Sequence, residues 1–215
     1  MNKYLLISIQ PQHVYNILIG KKTLEIRKMI PKWVFEAIAR KETVKALIYC
    51  TKKKSGRIFI KKGEELYGQP LERTLIVHHP TFFEMDFGGK VVAQFDLNQI
   101  ERIICEKDTD YDYEISYEYV IEISHNKHDN AGNITPFLNY EYYNSMKICK
   151  EACVEYEEMD QYFDAKDGYA MFIKNLKVFD KPKELSDYQV FYDGEESFYP
   201  LKRAPRSMME VWGNE

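Results

Sequence analysis

The residues best suited to chemistry lie in one short run, Gly-Lys-Lys-Thr-Leu-Glu-Ile-Arg-Lys at positions 20–28. If a β-strand begins at residue 23, successive side chains point to opposite faces. Leu24 and Ile26 then face a core. The opposite face collects a hydroxyl, a carboxylate and a guanidinium: Thr23, Glu25 and Arg27. Such a set suits the floor of a polar pocket. Spacing alone, however, favours a half-buried strand whose polar side faces water.

The residues before this run predict the elements that hold it in place. Residues 4–9 alternate in the manner of a strand. Pro11 suits the first turn of a helix, because its missing N–H would be unpaired there anyway. An apolar stripe at helical spacing follows over residues 11–19, formed by Val14, Ile17 and Leu18. Gly20 can take the left-handed conformation that ends a helix. The predicted unit is strand, short helix, glycine stop and polar strand.

Patterns further along the chain predict mostly strands. We expect strands at residues 46–51, 74–77, 91–97, 169–172 and 176–179. Residues 105–124 alternate Tyr and Ile with acids, which predicts an exposed hairpin. Residues 137–162 have a helical pattern, as one helix or two short ones. The turn-rich stretch 124–136 predicts a mobile loop, and Pro200 and Pro205 disfavour helix in the last segment.

The charge of the chain is distributed unevenly. The first 62 residues hold fifteen Lys and Arg against three Glu, whereas the rest holds fifteen basic and thirty-one acidic residues. The run Thr-Lys-Lys-Lys-Ser-Gly-Arg at positions 51–57 creates a local field that attracts phosphates. We therefore predict contacts to a nucleic-acid backbone from four residues: Lys52, Lys53, Lys54 and Arg57. The alternative is a solvated face that the acidic remainder neutralises.

Composition restricts the class of protein. The chain has 215 residues, of which 45% are hydrophobic and 30% charged, as in one large globular domain. There is no run of eighteen apolar residues, and the first twelve residues lack a signal-peptide cleavage site. Widely spread cysteines predict a reducing, cytoplasmic setting without membrane contact. Cys149 and Cys153 lie one helical turn apart, but without histidines at ligand spacing we expect core residues. We predict no metal and no cofactor.

The opening sequence resembles an ASCH domain (activating-signal-cointegrator homology), a branch of the PUA-like superfamily. The family signature is a hydrophobic strand ending in S-I-K-P, a helix, and then G-x-K-T-x-E-x-R. The matching residues are Ser8, Ile9, Pro11, Gly20, Lys22, Thr23, Glu25 and Arg27. Gln10 stands where a basic residue is common. Residues 88–97, 168–185 and 203–212 resemble later strands and the terminal segment of the larger, phage-associated members.

The resemblance implies an α+β fold, in which a twisted, mixed, β-barrel-like sheet is flanked by a few helices. It implies one domain over residues 1–215, with an acidic, Tyr-rich insertion near 105–135. It also implies binding of a nucleic acid, RNA in preference to DNA, or of a modified nucleobase. The expected ligand-binding residues are Ser8, Lys21, Lys22, Thr23, Glu25 and Arg27. In this interpretation Arg27 and Lys22 meet a phosphate or base edge, and Glu25 accepts from an exocyclic amine.

Two other functions remain open. Some small ASCH-type proteins are amidohydrolases that remove the acetyl group from N4-acetylcytidine with a Lys, a Thr and a Glu. Lys22 aligns with that lysine, but Glu25 stands at the threonine position, so Glu25 would itself have to activate water. No third catalytic residue is identifiable. Alternatively, the chain is a phage-type protein whose acidic, Tyr-rich segment, residues 105–124, binds a host protein.

Overall fold

The first strand, β1 (Asn2–Ile9), is the centre of the larger sheet in the computed structural model. The structure describes residues 1–52, 57–61, 76–79, 82–108, 116–125, 139–192, 194 and 196–214. Leu5, Leu6 and Ile7 are fully buried; because successive side chains point to opposite faces, both faces of the strand are covered here. β1 pairs in parallel with β3 (Val44–Cys50). A parallel pair needs a crossover connection, and here that connection contains α1 (Pro11–Leu18) and α2 (Lys32–Ala39).

The chain divides into two compact units, which are described separately. The first unit comprises Met1–Thr23, Ile30–Asn98 and Ile173–Glu215, and the second comprises Leu24–Met29 and Gln99–Phe172. The predicted insertion near 105–135 falls within the second unit. Its stretches 109–115 and 126–135, including most of the predicted mobile loop, lie outside the described residues.

The first unit is built on a seven-stranded mixed sheet. Its further strands are β7 (Val91–Leu97), β12 (Lys174–Lys183), β13 (Gln189–Tyr192), β14 (Ser197–Pro200) and β15 (Met208–Gly213). The strand order is β12-β7-β3-β1-β15-β13-β14. A separate sheet has the order β4-β6-β5, with bounds Arg57–Lys61, Phe82–Asp86 and Ile76–His79. The larger sheet keeps two open edges, so a closed barrel is absent from the part of the chain that the structure describes.

The second unit is an antiparallel sheet packed on two helices. Its strands are β2 (Leu24–Arg27), β8 (Ile100–Asp108), β9 (Ser116–His125), β10 (Asn139–Tyr143) and β11 (Gly168–Phe172). Their order is β10-β9-β8-β11-β2. The helices are α3 (Ser145–Ala152) and α4 (Tyr156–Phe163). Ile148 of α3 and Met159 and Phe163 of α4 complete one hydrophobic core with the sheet.

Several predicted elements are confirmed and others need correction. The α+β class and the strands 91–97 and 169–172 agree with the structure. The helical pattern over 137–162 is right for two short helices but wrong for residues 139–143, which pair with β9. Within the predicted hairpin, the described residues 105–108 and 116–119 do pair antiparallel, but this pair is not exposed throughout. Tyr119 and Ile121 are fully buried, and the Tyr119 hydroxyl donates to Asp160 Oδ1 at 2.8 Å.

Within the described residues, no helix is both long and apolar enough to cross a membrane. The four α-helices of that part have eight residues each.

Gly168 is a position where the core of the second unit leaves no room for a side chain. A Cβ there would collide with the Phe163 ring, which is fully buried. We expect Gly168→Ala to lower the free energy of unfolding by about 1–3 kcal/mol through overpacking. Urea denaturation measures this loss. Gly194→Ala is the matched control, because its Cβ would meet no described atom within 4 Å. Equal stability of the two variants would contradict the packing at Gly168.

Candidate functional site

The turn after α1 positions the predicted site residues. Gly20 has a φ of 73°, the left-handed conformation predicted for the helix stop. The backbone N–H groups of Lys21 and Lys22 both donate to the Asn16 carbonyl, each at 2.9 Å. The chain is thereby turned back and fixed before the polar strand begins. The Thr23 carbonyl then accepts from the Ile173 N–H at 2.9 Å in the first unit.

The six predicted ligand-binding residues are divided between the units. Those of the first unit are Ser8, Lys21, Lys22 and Thr23, and those of the second are Glu25 and Arg27. Lys21 and Thr23 are exposed. Lys22 is 3% exposed and Ser8 is 6% exposed, so both are buried.

Ser8 has a structural task in the first unit. Its hydroxyl donates to the Pro205 carbonyl at 2.7 Å, and its backbone N–H donates to the Ser207 carbonyl at 2.8 Å. These two bonds fix the segment before β15 onto β1. The predicted ligand contact of Ser8 therefore competes with a bond that the fold already uses.

Glu25 and Arg27 form a buried ion pair on β2. Arg27 Nη2 lies 2.6 Å from Glu25 Oε1, and the two side chains are only 13% and 7% exposed. The alternation predicted for this strand is confirmed, because Leu24 and Ile26 belong to the core on the other face. The interpretation in which the polar side faces water is wrong for Glu25 and Arg27, whereas Thr23 is exposed. A charged pair is instead removed from solvent at the edge of the five-stranded sheet.

The neighbours of this pair in the second unit were not predicted from the sequence. Tyr169 of β11 lies opposite Arg27, and Met171 lies opposite Glu25. Directly opposed residues of paired strands project from the same face, so an aromatic ring lies beside the ion pair. The end of β2 is held by Tyr162, whose hydroxyl accepts from the Lys28 N–H at 3.3 Å. A strand was predicted at residue 169, but no local signal shows that it pairs with β2.

The basic run is described only in part. Lys52 is exposed, and its aliphatic stem crosses Gly89, where a Cβ would collide with it. Gly89 has a φ of 85°, which only glycine adopts easily. Lys53 and Lys54 lie outside the described residues, and Arg57 is the first residue of β4. The predicted backbone contacts of these residues stay predictions.

Among the described residues, burial distinguishes three of the six predicted ligand-binding residues. In the described ranges the buried polar or charged residues are Ser8, Lys22 and Glu25, all of which belong to the predicted set. Burying a charge is unfavourable unless it is paired and hydrogen-bonded, so these positions are unusual. Comparison of the sequence with protein-family models and with curated proteins gives no match. A function for these residues therefore rests on their own chemistry.

Cys149 and Cys153, the two cysteines that the sequence places one helical turn apart, are thiols in the second unit. Cys149 packs against the core, and burial raises the pKa of its thiol to about 11. Cys153 ends α3 with a left-handed φ of 50°. Groups of three or more metal-ligating side chains are absent from the residues that the structure describes.

Cys149 should be slow to react with alkylating reagents, because the thiolate is the reactive form. A raised pKa means that the thiolate fraction grows tenfold per pH unit up to about 11. We expect the logarithm of the iodoacetamide rate to rise with unit slope between about pH 7 and 10. Peptide-resolved mass spectrometry measures it. A plateau at the ordinary thiol value of 9.0 would contradict the burial of Cys149.

The ion pair makes a separate prediction about stability. Arg27→Met removes the guanidinium from beside a buried carboxylate, so we expect a loss of about 3 kcal/mol in the free energy of unfolding. The double variant Glu25→Leu/Arg27→Met removes both charges and should regain most of that loss. Urea denaturation of wild type, Arg27→Met, Glu25→Leu and the double variant tests this. Additive losses in the double variant would mean that the two side chains do not act as a pair.

Proposed function

We propose that this chain is a nucleic-acid or modified-nucleobase binding module of the ASCH type in the PUA-like superfamily, with RNA as the favoured ligand. One observation carries the proposal. A Glu25–Arg27 ion pair, 2.6 Å long and almost wholly buried, lies on an edge strand with Tyr169 beside it. Four thiols without a disulfide support a reducing, cytoplasmic location for this activity.

The pair suits recognition of a base edge. The guanidinium is a planar fork of donors, and it matches acceptors on a base. The Glu25 carboxylate accepts only, and it matches an exocyclic amine such as the N4 amine of cytosine. A base that has been unstacked from a single strand offers both kinds of group along one edge. Tyr169 adds an aromatic face on which that base can stack.

Stability alone does not account for these charges. A buried ion pair is often no better than a hydrophobic pair of similar volume, because both ions lose their hydration. β2 already anchors the core through Leu24 and Ile26 on its other face. By this general rule, a hydrophobic pair such as leucine and methionine in place of Glu25 and Arg27 is not expected to be less stable. The retained charges therefore favour a recognition role.

The test is fluorescence anisotropy with labelled single-stranded RNA, duplex RNA and DNA. Arg27→Lys keeps the charge but loses the planar fork, so we expect about 5- to 100-fold weaker binding and a weaker base preference. Arg102→Lys is the matched control. Arg102 lies on β8 in the same cross-strand row, is largely exposed, and pairs with Asp167. Unfolding curves confirm that both variants fold.

Two results would contradict the proposal. The first is that the wild-type protein binds none of the three probes at low salt, which would mean that it does not bind nucleic acid. If Arg27→Lys binds as tightly as Arg102→Lys, with the same base preference, the ion pair is structural.

The basic run is tested separately by its salt dependence. The triple variant Lys52→Ala/Lys53→Ala/Lys54→Ala should bind single-stranded RNA with a less steep plot of log K against log salt. The expected reduction is about 0.7 for each phosphate contact that is lost. An unchanged slope would mean that these lysines make no phosphate contacts and only form a hydrated surface.

Burial of Lys22 supports a second candidate, hydrolysis of an N4-acetylcytidine-like nucleoside. A lysine only 3% exposed is unusual, and desolvated lysines serve as bases and nucleophiles. The reaction would consume water and release cytidine and acetate. Chromatography of nucleoside products tests it with wild type, Lys22→Gln and Glu25→Gln. We expect turnover to disappear in both variants if this activity exists, and turnover that survives both would exclude these residues from catalysis.

A further inference from the structure

A second candidate site lies in the first unit, far along the sequence from Glu25 and Arg27. The hairpin of β13 and β14 forms one edge of the seven-stranded sheet and carries aromatic side chains on both faces. On one face the Phe191 and Phe198 rings lie 4.9 Å apart, and Phe198 contacts Trp212. On the other face Tyr192 and Tyr199 lie 5.6 Å apart with their planes at 70°. The hairpin is therefore a two-sided aromatic ribbon.

The tyrosine face borders a cavity of about 520 Å³. This lies within the range of about 300–1,000 Å³ that is usual for small-ligand pockets. The floor is part of the hydrophobic core: Val190 and Leu201 belong to the core cluster, and Met209 packs against it. The walls are exposed instead, with Tyr192 56% and Tyr199 41% accessible. Two rings at a steep angle over a fixed apolar floor form a corner that a flat ligand can enter.

The charged side chains that line this cavity in the described part of the chain are Lys202 and Arg203. Both are exposed. Their backbone is anchored on each side, because the Leu201 N–H donates to the Tyr188 carbonyl at 2.8 Å and the Ser8 hydroxyl holds Pro205. Two cations on a segment with an anchored backbone therefore line the aromatic pocket.

We propose that this pocket binds one nucleotide of a single-stranded RNA, with the base against Tyr192 and Tyr199 and the phosphate at Lys202 and Arg203. The inference rests on the proposed function for its choice of RNA, but its residues are independent of the Glu25–Arg27 pair. A base stacks on the face of one tyrosine and meets the edge of the other. Stacking of this kind accepts any base, because every base has a π-face.

Charge favours this occupant over a protein strand. β14 is an edge strand, and an added peptide strand would pair along its backbone. Such pairing makes no use of the tyrosine corner or of the two cations. A phosphodiester with an unstacked base uses both. The strand pairing places the two tyrosines on the same face of the hairpin. Tyr199 lies opposite Val190, and Tyr192 follows Val190 by two positions.

The first experiment locates the RNA on the protein. A short oligouridine that contains 4-thiouridine is crosslinked to the full chain by light, and tryptic peptides are sequenced by mass spectrometry. Trypsin releases the hairpin with Tyr192 and Tyr199 as residues 184–202 and the motif strand as residues 23–27. We expect crosslinks to Tyr192 or Tyr199. RNA found on residues 23–27 but not on 184–202 would overturn this inference and leave the proposed function standing.

The second experiment measures affinity by anisotropy with single-stranded RNA. Tyr192→Leu/Tyr199→Leu keeps apolar side chains at both positions but removes the rings, so binding should weaken about 5- to 100-fold. Phe191→Leu/Phe198→Leu is the matched control on the opposite face of the same hairpin and should bind as wild type. Unfolding curves of both variants exclude loss of the fold.

The cations are tested in the same assay. Lys202→Ala/Arg203→Ala should make the plot of log K against log salt less steep by about 1.4, because two phosphate contacts are lost. Lys177→Ala/Lys181→Ala, two exposed lysines on β12 at the other edge of the sheet, should leave it unchanged.

The outcomes separate the two sites. Weak binding by the tyrosine variant together with normal binding by Arg27→Lys supports the pocket and overturns the role of the ion pair. Normal binding by the tyrosine variant overturns the pocket, whatever Arg27→Lys does. Loss of binding in both tyrosine and phenylalanine variants also overturns it, because the hairpin would then act as a protein scaffold. Wild type without RNA affinity overturns both proposals.

Discussion

The parallel pairing of β1 with β3 is the constraint on which the rest of the first unit depends. Two parallel strands cannot be joined by a tight turn, so the chain between Ile9 and Val44 must leave the sheet and return. That connection contains α1, the glycine turn at Gly20, the polar strand β2 and α2. Because β2 pairs with β11, the crossover also contributes a strand to the second unit. The run at residues 20–28 is therefore part of a connection that the strand topology requires.

The sequence predicts what is local in this arrangement. The helix start at Pro11, the left-handed Gly20 and the alternation along β2 depend on neighbouring residues, and all three agree with the structure. Burial of the polar face of β2 was not predictable, because Arg27 meets its partner strand at Tyr169, far along the chain. The same reason explains residues 139–143, which have a helical pattern but pair with β9. Short amphipathic runs take the structure that a distant partner offers.

The exclusion of solvent from the Glu25–Arg27 ion pair determines how its charges can interact. An ion pair in water contributes little, since both charges are already hydrated and screened. The Glu25–Arg27 pair has lost most of that hydration, so its geometry is held by the strand and by the partner charge. A ligand that brings complementary donors and acceptors then meets groups that are already oriented. A ligand without them forms no such bonds, and this difference in affinity is a source of specificity.

The two proposed sites differ in the physics of recognition. In the proposed base-recognition site Arg27 donates to a base edge and Glu25 accepts from it, so the two side chains discriminate between bases. The tyrosine corner depends on a π-face and the cations beside it on a phosphate, so both are indifferent to base identity. Non-specific contacts supply affinity and position the strand, whereas base-edge contacts supply the choice of sequence. A chain with a net charge of −4 gains little from long-range attraction to RNA. If the chain binds RNA as we propose, the affinity comes from local features such as Lys202, Arg203 and the two tyrosine rings that line the same cavity.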